Sequence, residues 1–288
     1  LHNNSSFIPK LSVIIVNHRS EEVLGSCLLS VAESDFKDGL EVIIVDNPLS
    51  DEKTNLKTAG LAIKRVSAFK RLGFAEACNL GVSEATGEYL LFLNPDVQLH
   101  RDALTNLYQA LLTHTGTGLA VGRLTGSDGK FQPICRHFPH LSNLIFSRGS
   151  IIYRWFRMPG ASYTYPDYPN VTEVEAAAAA MMMVPAVVFK NLGGFDPAFY
   201  LYMEDTDLCY RAFKNGYKTL YVPQAQGSHL WGHSTRHYRF RRLVWHHCSV
   251  WKYFAKYRPS LLTMAFLGIF LSINCLLSLV SELCTFRR

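Results

Sequence analysis

The chain has 288 residues, of which 48% are hydrophobic and 18% charged, and its net charge is +6. That length can bury one large core or two modest ones, and the composition excludes a disordered, solvating polypeptide. The charge is unevenly placed: from residue 208 to 281 there is no acidic residue and there are ten Lys and Arg, so this stretch carries +10 and the remainder −4. A basic C-terminal third of this kind implies an anionic partner surface.

The first ten residues are polar and lack the basic-then-apolar layout of a signal peptide, which predicts a chain that is not exported. Residues 11–16 and 40–45 are continuous β-branched runs, the pattern of strands buried on both faces of a parallel sheet. Between them Val23, Cys27, Leu28 and Val31 recur at helical spacing, and a similar pattern over 75–85 precedes a third apolar strand at 89–93. Strand, helix, strand, helix, strand predicts an α/β domain with right-handed crossovers, whose ligands bind beyond the carboxyl ends of the strands. Polar residues mark those ends: Asn17, then Asp46 and Asn47, then Asn94 and Asp96.

Gly116, Gly118 and Gly122 faintly imitate a dinucleotide fingerprint but precede an apolar segment, so they read as a connecting turn. Residues 125–172 form a loop-rich stretch broken by Pro133, Pro139, Pro159, Pro166 and Pro169, suited to shaping an acceptor site. The small-residue and Met run over 174–188 predicts a buried strand and a helix start. Residues 205–215 predict a helix with acidic residues in its first turn and Gly216 to end it. Asp207 and Arg211, four apart on that helix, predict a structural ion pair.

Beyond residue 234 the chain is basic, aromatic and helical in pattern. Residues 261–280 follow as twenty uncharged positions, long enough as a helix to span about 30 Å of hydrocarbon. A membrane anchor is the leading reading, and a buried or amphipathic helix is the alternative that Ser272, Asn274 and Ser278 leave open. The seven cysteines are scattered and never spaced as CxxC, which argues against a disulfide framework or zinc ribbon and for a reducing compartment.

Read in order, the strand ends are VIIVNHRS, EVIIVDNPLSD, GFAEACNLG, YLLFLNPDV, GGFDPAFYLYMEDTDLCYR and YVPQAQGSHLWGHS. Together they resemble the family 2 glycosyltransferases of the GT-A fold, most closely the rhamnosyltransferase-like branch, over about residues 11–235. The resemblance implies a GT-A nucleotide-diphospho-sugar transferase fold, a Rossmann-like mixed sheet with flanking helices, as a domain over 1–235. Residues 236–288 would add a basic aromatic helix and a hydrophobic membrane-anchoring helix.

The resemblance also assigns roles. Asp96, with Asn94 in place of the family's first Asp, falls at the metal-binding motif, and His229 at the position that closes the metal site, implying Mg²⁺ or Mn²⁺. A divalent cation is chemically apt there because a leaving diphosphate needs its charge offset. Asn17, Asp46, Asn47, Gly73, Phe74 and Asn79, with Asn94 and Asp96, fall on the donor side, although Arg71, His18 and Ala179 depart from the usual residues. Asp205 falls at the position of the catalytic base, with Glu204 as its neighbour and rival.

Each signal also has a structural reading: a turn at Asn94-Pro95-Asp96, a cap at Asp46, acidic residues at a helix start for Glu204 and Asp205, and a polar loop histidine at 229. His229, His233 and His237 recur every four residues as a zinc alternative, weakened by Gly232. The implied function is inverting transfer of a sugar, rhamnose being one candidate, from a nucleotide-sugar donor to a lipid-linked or polysaccharide acceptor. The alternative is a non-catalytic, membrane-anchored nucleotide-sugar or glycan-binding protein. The Arg, Lys, Tyr and Trp mixture over 236–258 suits a membrane surface better than nucleic acid, because the apolar run follows at once. The expected location is the cytoplasmic face of the inner or plasma membrane.

Overall fold

The computed structural model describes residues 9–47, 60–146, 163–230 and 238–286. The first half runs β1 (Leu11–Asn17), α1 (Glu21–Ala32), β2 (Leu40–Asp46), β3 (Ile63–Ser67), α2 (Phe74–Ser83), β4 (Tyr89–Leu93), β5 (Val97–Leu99) and α3 (Ala103–Thr113). Then come β6 (Thr117–Thr125), β7 (Phe131–Gln132), β8 (Cys135–Arg136), α4 (Leu141–Phe146), β9 (Thr172–Val174), β10 (Ala176–Ala177), β11 (Met181–Pro185) and α5 (Ala186–Asn191). The last elements are α6 (Glu204–Lys214), β12 (Lys218–His229), α7 (Arg239–Tyr257) and α8 (Leu261–Phe286).

One sheet organises these strands in the order β3-β2-β1-β4-β11-β6-β12-β5, with β7 on β6 and β9 on β12. β3, β2, β1 and β4 are mutually parallel, whereas β11 runs antiparallel between β4 and β6. The expected parallel half is therefore present and is joined to a mixed half. β3 is a strand that the apolar pattern does not announce. As the sheet's edge it reads Ile-Lys-Arg-Val-Ser and is only partly buried, so it carries no continuous hydrophobic run. Gly118 and Gly122 lie inside β6 and not in a turn. A Cβ on Gly122 would fall 2.5 Å from the Ala225 carbonyl oxygen of the neighbouring β12, so the absent side chain lets the two strands close.

The core is the sheet with its flanking helices. Leu24, Cys27, Leu28 and Val31 bury one face of α1, as their spacing predicts. Met181, Met182 and Met183 are fully buried, each side chain contributing roughly 1.5–3 kcal/mol through its removal from water. Two Met faces of one strand can be buried at once only because β11 is interior to a sheet covered on both sides.

The expected division near residue 235 falls within 231–237, outside the described residues. Beyond it, α7 is packed against the sheet domain. Val250, Tyr253 and Phe254 join Phe199 and Met203 in a second apolar cluster completed by Leu267 and Leu271 of α8. Polar contacts fasten the same helix: Ser249 Oγ donates to the Leu201 carbonyl at 2.9 Å and Lys252 Nζ to the Ala198 carbonyl at 2.6 Å.

Candidate active site

A cavity of about 390 Å³ opens at the carboxyl ends of β1, β2 and β4, where an open α/β sheet binds its ligands. Asn47, Gly73, Phe74, Asn94, Asp96, Glu204, Asp205 and His229 line it. Asn17, Asp46 and Asn79, expected on the donor side, stand behind its wall.

Their partners explain the difference. Asp46 accepts from Arg65 Nε at 2.8 Å and Nη2 at 2.6 Å, and from Asn17 Nδ2 at 3.0 Å, so its carboxylate is held by the edge strand β3. Asn79 donates to the Phe195 carbonyl at 2.7 Å and accepts from the Phe195 amide at 3.0 Å, which ties α2 to the turn before α6. Asn47 makes the same two-way contact with the backbone of Leu72, both at 2.9 Å, and so orders the Arg71-Leu72-Gly73 segment along the cavity.

The metal-side pair is built by register. β5 and β12 pair antiparallel with Val97 opposite His229, which brings the adjacent Asp96 to the His229 ring. Asp96 Oδ1 lies 3.3 Å from His229 Nε2, both residues are buried, and Asn94 Nδ2 reaches the same nitrogen at 3.5 Å. Gln132 fixes the ring: its Nε2 donates to the His229 carbonyl at 2.9 Å, so its Oε1, 3.0 Å from His229 Nδ1, must accept. Nδ1 then carries a proton, and Nε2 faces Asp96.

A carboxylate oxygen and an imidazole nitrogen facing each other at the cavity wall are a donor set that can hold a divalent ion. Among the described residues no three His, Cys, Asp or Glu side chains converge. The remaining ligands would therefore be phosphate oxygens and water, the usual arrangement for Mg²⁺. His233 and His237, the other members of the zinc alternative, lie outside the described residues.

The second carboxylate pair stands at the start of α6. Tyr202 and Met203 precede it with φ of 68° and 70°, left-handed conformations that non-glycine residues adopt only under constraint. This backbone delivers Glu204, Asp205 and Asp207 into the first turn, all buried, where the helix dipole favours negative charge. The two cavity carboxylates are in different states. Asp205 Oδ2 accepts from Arg136 Nη2 at 2.6 Å, and its Oδ1 accepts from the Thr206 amide at 2.6 Å. Burial first, and then the charge of Asp205, raises Glu204 well above the usual carboxylate range, and its Oε2 is buried without a hydrogen bond. Asp205 is thus the ion-paired carboxylate, while burial favours Glu204 as the neutral acid.

Sequence reasoning missed several lining residues. Arg136 comes from β8, deep in the proline-broken stretch, and nothing in Ile134-Cys135-Arg136-His137 advertises a guanidinium aimed at Asp205. Tyr238, the residue before α7, and Trp245, within that helix, also line the cavity. The Arg71 guanidinium lies 4.2 Å from the Tyr238 ring centre and 5.3 Å from that of Trp245. His18 stacks on Tyr238 at 5.7 Å, and both of its ring nitrogens are buried without a hydrogen bond. Burial, then the charges of Arg71 and Arg19, lowers His18 and keeps its ring neutral.

Known proteins share the sequence pattern and the fold. Rhamnosyltransferase WbbL of Escherichia coli is 29% identical over 257 residues, covering 85% of this chain and 93% of that protein. The N-acetylglucosaminyl-diphospho-decaprenol L-rhamnosyltransferase of Mycobacterium tuberculosis is 28% identical over 172 residues, but these span only 58% of this chain and 55% of that one. Among solved structures, the mannosyltransferase PcManGT of Pyrobaculum calidifontis, in complex with GDP-Man and Mn²⁺, has the same fold with a TM-score of 0.56. It is 19% identical, with 97% of this chain and 76% of that chain covered. Residues 12–183 match the family described as Glycosyl transferase family 2, and the chain belongs to that family of inverting glycosyltransferases.

Proposed function

We propose that this enzyme transfers a deoxyhexose of the rhamnose type from a nucleoside-diphosphate donor to a hydroxyl of a lipid-diphosphate-linked glycan, at the cytoplasmic face of a membrane. The observation that carries the reading is the meeting of two chemically distinct groups in one cavity: Asp96 with His229, and Asp205 with Arg136. The names of the relatives support the choice of sugar and acceptor.

Asp205 is the proposed base. The acceptor hydroxyl gives its proton to the carboxylate as its oxygen bonds to the anomeric carbon, on the face opposite the bond to the diphosphate, which breaks with its electron pair. Arg136 orients that carboxylate through its 2.6 Å contact. Glu204, a neutral acid, is suited to hydrogen-bond a sugar hydroxyl. Asp96 and His229 would hold Mg²⁺ or Mn²⁺, which when bound offsets charge on the departing diphosphate. On the donor side, His18 and Arg71 with Tyr238 and Trp245 offer flat faces and hydrogen-bonding edges to a nucleobase, and Gly73 and Phe74 border the same space.

The test is transfer from nucleoside-diphosphate rhamnose to a diphospholipid-linked N-acetylhexosamine by the full chain. Asp205→Asn should lower turnover by at least about a hundredfold with little change in donor affinity. Loss of turnover in Glu204→Gln with normal turnover in Asp205→Asn would exchange the two roles. Full activity in excess chelator would remove the metal from the scheme.

A further inference from the structure

We infer that α8, backed by α7, forms a plate that lies flat in one leaflet of an anionic membrane, so that α8 does not cross the bilayer. This deepens the membrane placement proposed above, but it stands on packing and charge and needs neither the donor nor the acceptor assignment.

α8 has length and composition enough to span, with its candidate segment at Leu261–Val280. Its packing forbids it. Met264, Leu267, Gly268, Leu271 and Asn274, at helical spacing, form the face turned to α7. Trp251 covers Gly268 so closely that a Cβ there would lie 3.0 Å from its ring, and Asn274 Nδ2 meets His247 Nε2 at 3.0 Å. These pairs run in opposite directions, so α8 returns antiparallel along α7.

On its other side α7 is bolted to the catalytic body, with Lys256 Nζ 2.6 Å from Asp196 and 2.7 Å from Asp207. An α8 upright in hydrocarbon would have to take α7, its lysines and the start of the catalytic domain in with it, and charged groups at that depth are strongly disfavoured.

The opposite face is apolar and open. Leu262, Phe266, Ile269, Ile273, Leu276 and Val280 are between 46% and 82% exposed. They extend over about 27 Å of helix at 1.5 Å per residue. On α7, Phe240, Val244 and Trp251 are also exposed, at 38% to 43%. One-sided apolar cover beside cations is the pattern of an interfacial helix.

Charge selects the occupant. Residues 238–281 carry six Lys and Arg and no acid, and Arg241 of α7 and Arg258 just beyond it are exposed. A second copy docked on this plate would oppose like charge to like, whereas an anionic leaflet offers both hydrocarbon and compensating headgroups.

The experiment places single nitroxide labels on the full chain at Leu262→Cys, Ile269→Cys, Ile273→Cys and Val280→Cys, with Cys248, Cys275 and Cys284 changed to Ser. Depth is read from oxygen and nickel-chelate collision rates in vesicles of phosphatidylglycerol and phosphatidylethanolamine. The plate predicts lipid contact at all four sites at one shallow depth, roughly 5–10 Å below the headgroups. Ile269→Glu should weaken vesicle binding at least about tenfold while donor binding persists. A depth that is greatest near residue 270, with residue 280 exposed at the far surface, would overturn the flat plate and leave the membrane placement intact. Four sites without lipid contact would overturn both.

Discussion

The Arg136 guanidinium holds the Asp205 carboxylate at 2.6 Å from a strand 69 residues earlier in the chain. Arg136 is only partly exposed and Asp205 almost buried, so the pair is far less screened than a surface ion pair. If the guanidinium positions the proposed base, Arg136→Gln should lower kcat by about tenfold to a hundredfold with donor KM changed little. Arg136→Lys should recover only part of the loss, because an ammonium cannot reproduce the planar fork. Steady-state kinetics on the two variants check this. A large rise in donor KM with unchanged kcat would assign Arg136 to donor binding instead.

Glu204 predicts how stability depends on pH. Its folded-state pKa is raised, by burial first and by Asp205 second, so over the range above about 4.3, the ordinary Glu value, the folded chain binds more protons than the unfolded one. Stability therefore falls as pH rises through that range. Glu204→Gln removes the titrating group, so in urea melts its advantage over the parent chain should grow from pH 5 to pH 8. A constant offset between the two would refute the assignment of Glu204 as the neutral acid.

Gln132 fixes the tautomer of His229 without lining the cavity itself. Groups that orient a metal-binding histidine commonly control affinity by about tenfold to a hundredfold. Gln132→Leu should therefore raise the Mn²⁺ concentration needed for half-maximal activity about tenfold, while activity at saturating Mn²⁺ stays near that of the parent. Direct titration of Mn²⁺ by paramagnetic relaxation of water should show the same shift.

Asn79 separates a structural role from a donor role. Both ends of its amide are used by the Phe195 backbone, so Asn79→Leu should cost about 1–3 kcal/mol of stability through two lost hydrogen bonds and a stranded backbone group. Donor KM should be unchanged at a temperature where the variant is folded. A selective rise in donor KM would return Asn79 to the donor site.

The residues that the sequence made legible are those whose chemistry is stated locally. β1, β2 and β4 are buried on both faces and so read as unbroken apolar runs, and the polar residue ending each run marks the ligand edge of the sheet. Asp96 stands at one of those edges and Asp205 in the first turn of α6, whereas His229 is indicated by the family resemblance alone. What was hidden depends on contacts distant in the chain. β3 is an edge strand half in water, Arg136 is brought to Asp205 by the pairing of β8 with β10 and by its bridge to Thr164, and Tyr238 and Trp245 reach the cavity because α7 folds back over it. Asn79 misled for the complementary reason: its local pattern fits the donor segment, but its amide is turned to Phe195.

Asp207 joins the two halves of the molecule. Its side chain is fully buried, with Oδ2 taking Arg211 Nε at 2.8 Å within α6, while Oδ1 takes Lys256 Nζ at 2.7 Å and Tyr257 OH at 2.6 Å from α7. The i,i+4 pair with Arg211 is thus one part of a clasp that holds the C-terminal helices against the turn carrying Glu204 and Asp205. Asp207→Ala removes three contacts to a buried carboxylate, although Lys256 keeps Asp196, and losing charged hydrogen bonds of this kind costs about 1.5–3 kcal/mol. Asp207→Asn keeps the volume and one acceptor oxygen but loses the charge, and should be the milder of the two. Because α7 also supplies Tyr238 and Trp245 to the cavity, the Asn variant should show faster hydrogen exchange across 239–257 together with weaker donor binding, while the exchange of β1 and β2 is unchanged. Exchange that accelerates uniformly through the sheet would mean that Asp207 supports the whole fold and is not a clasp on α7.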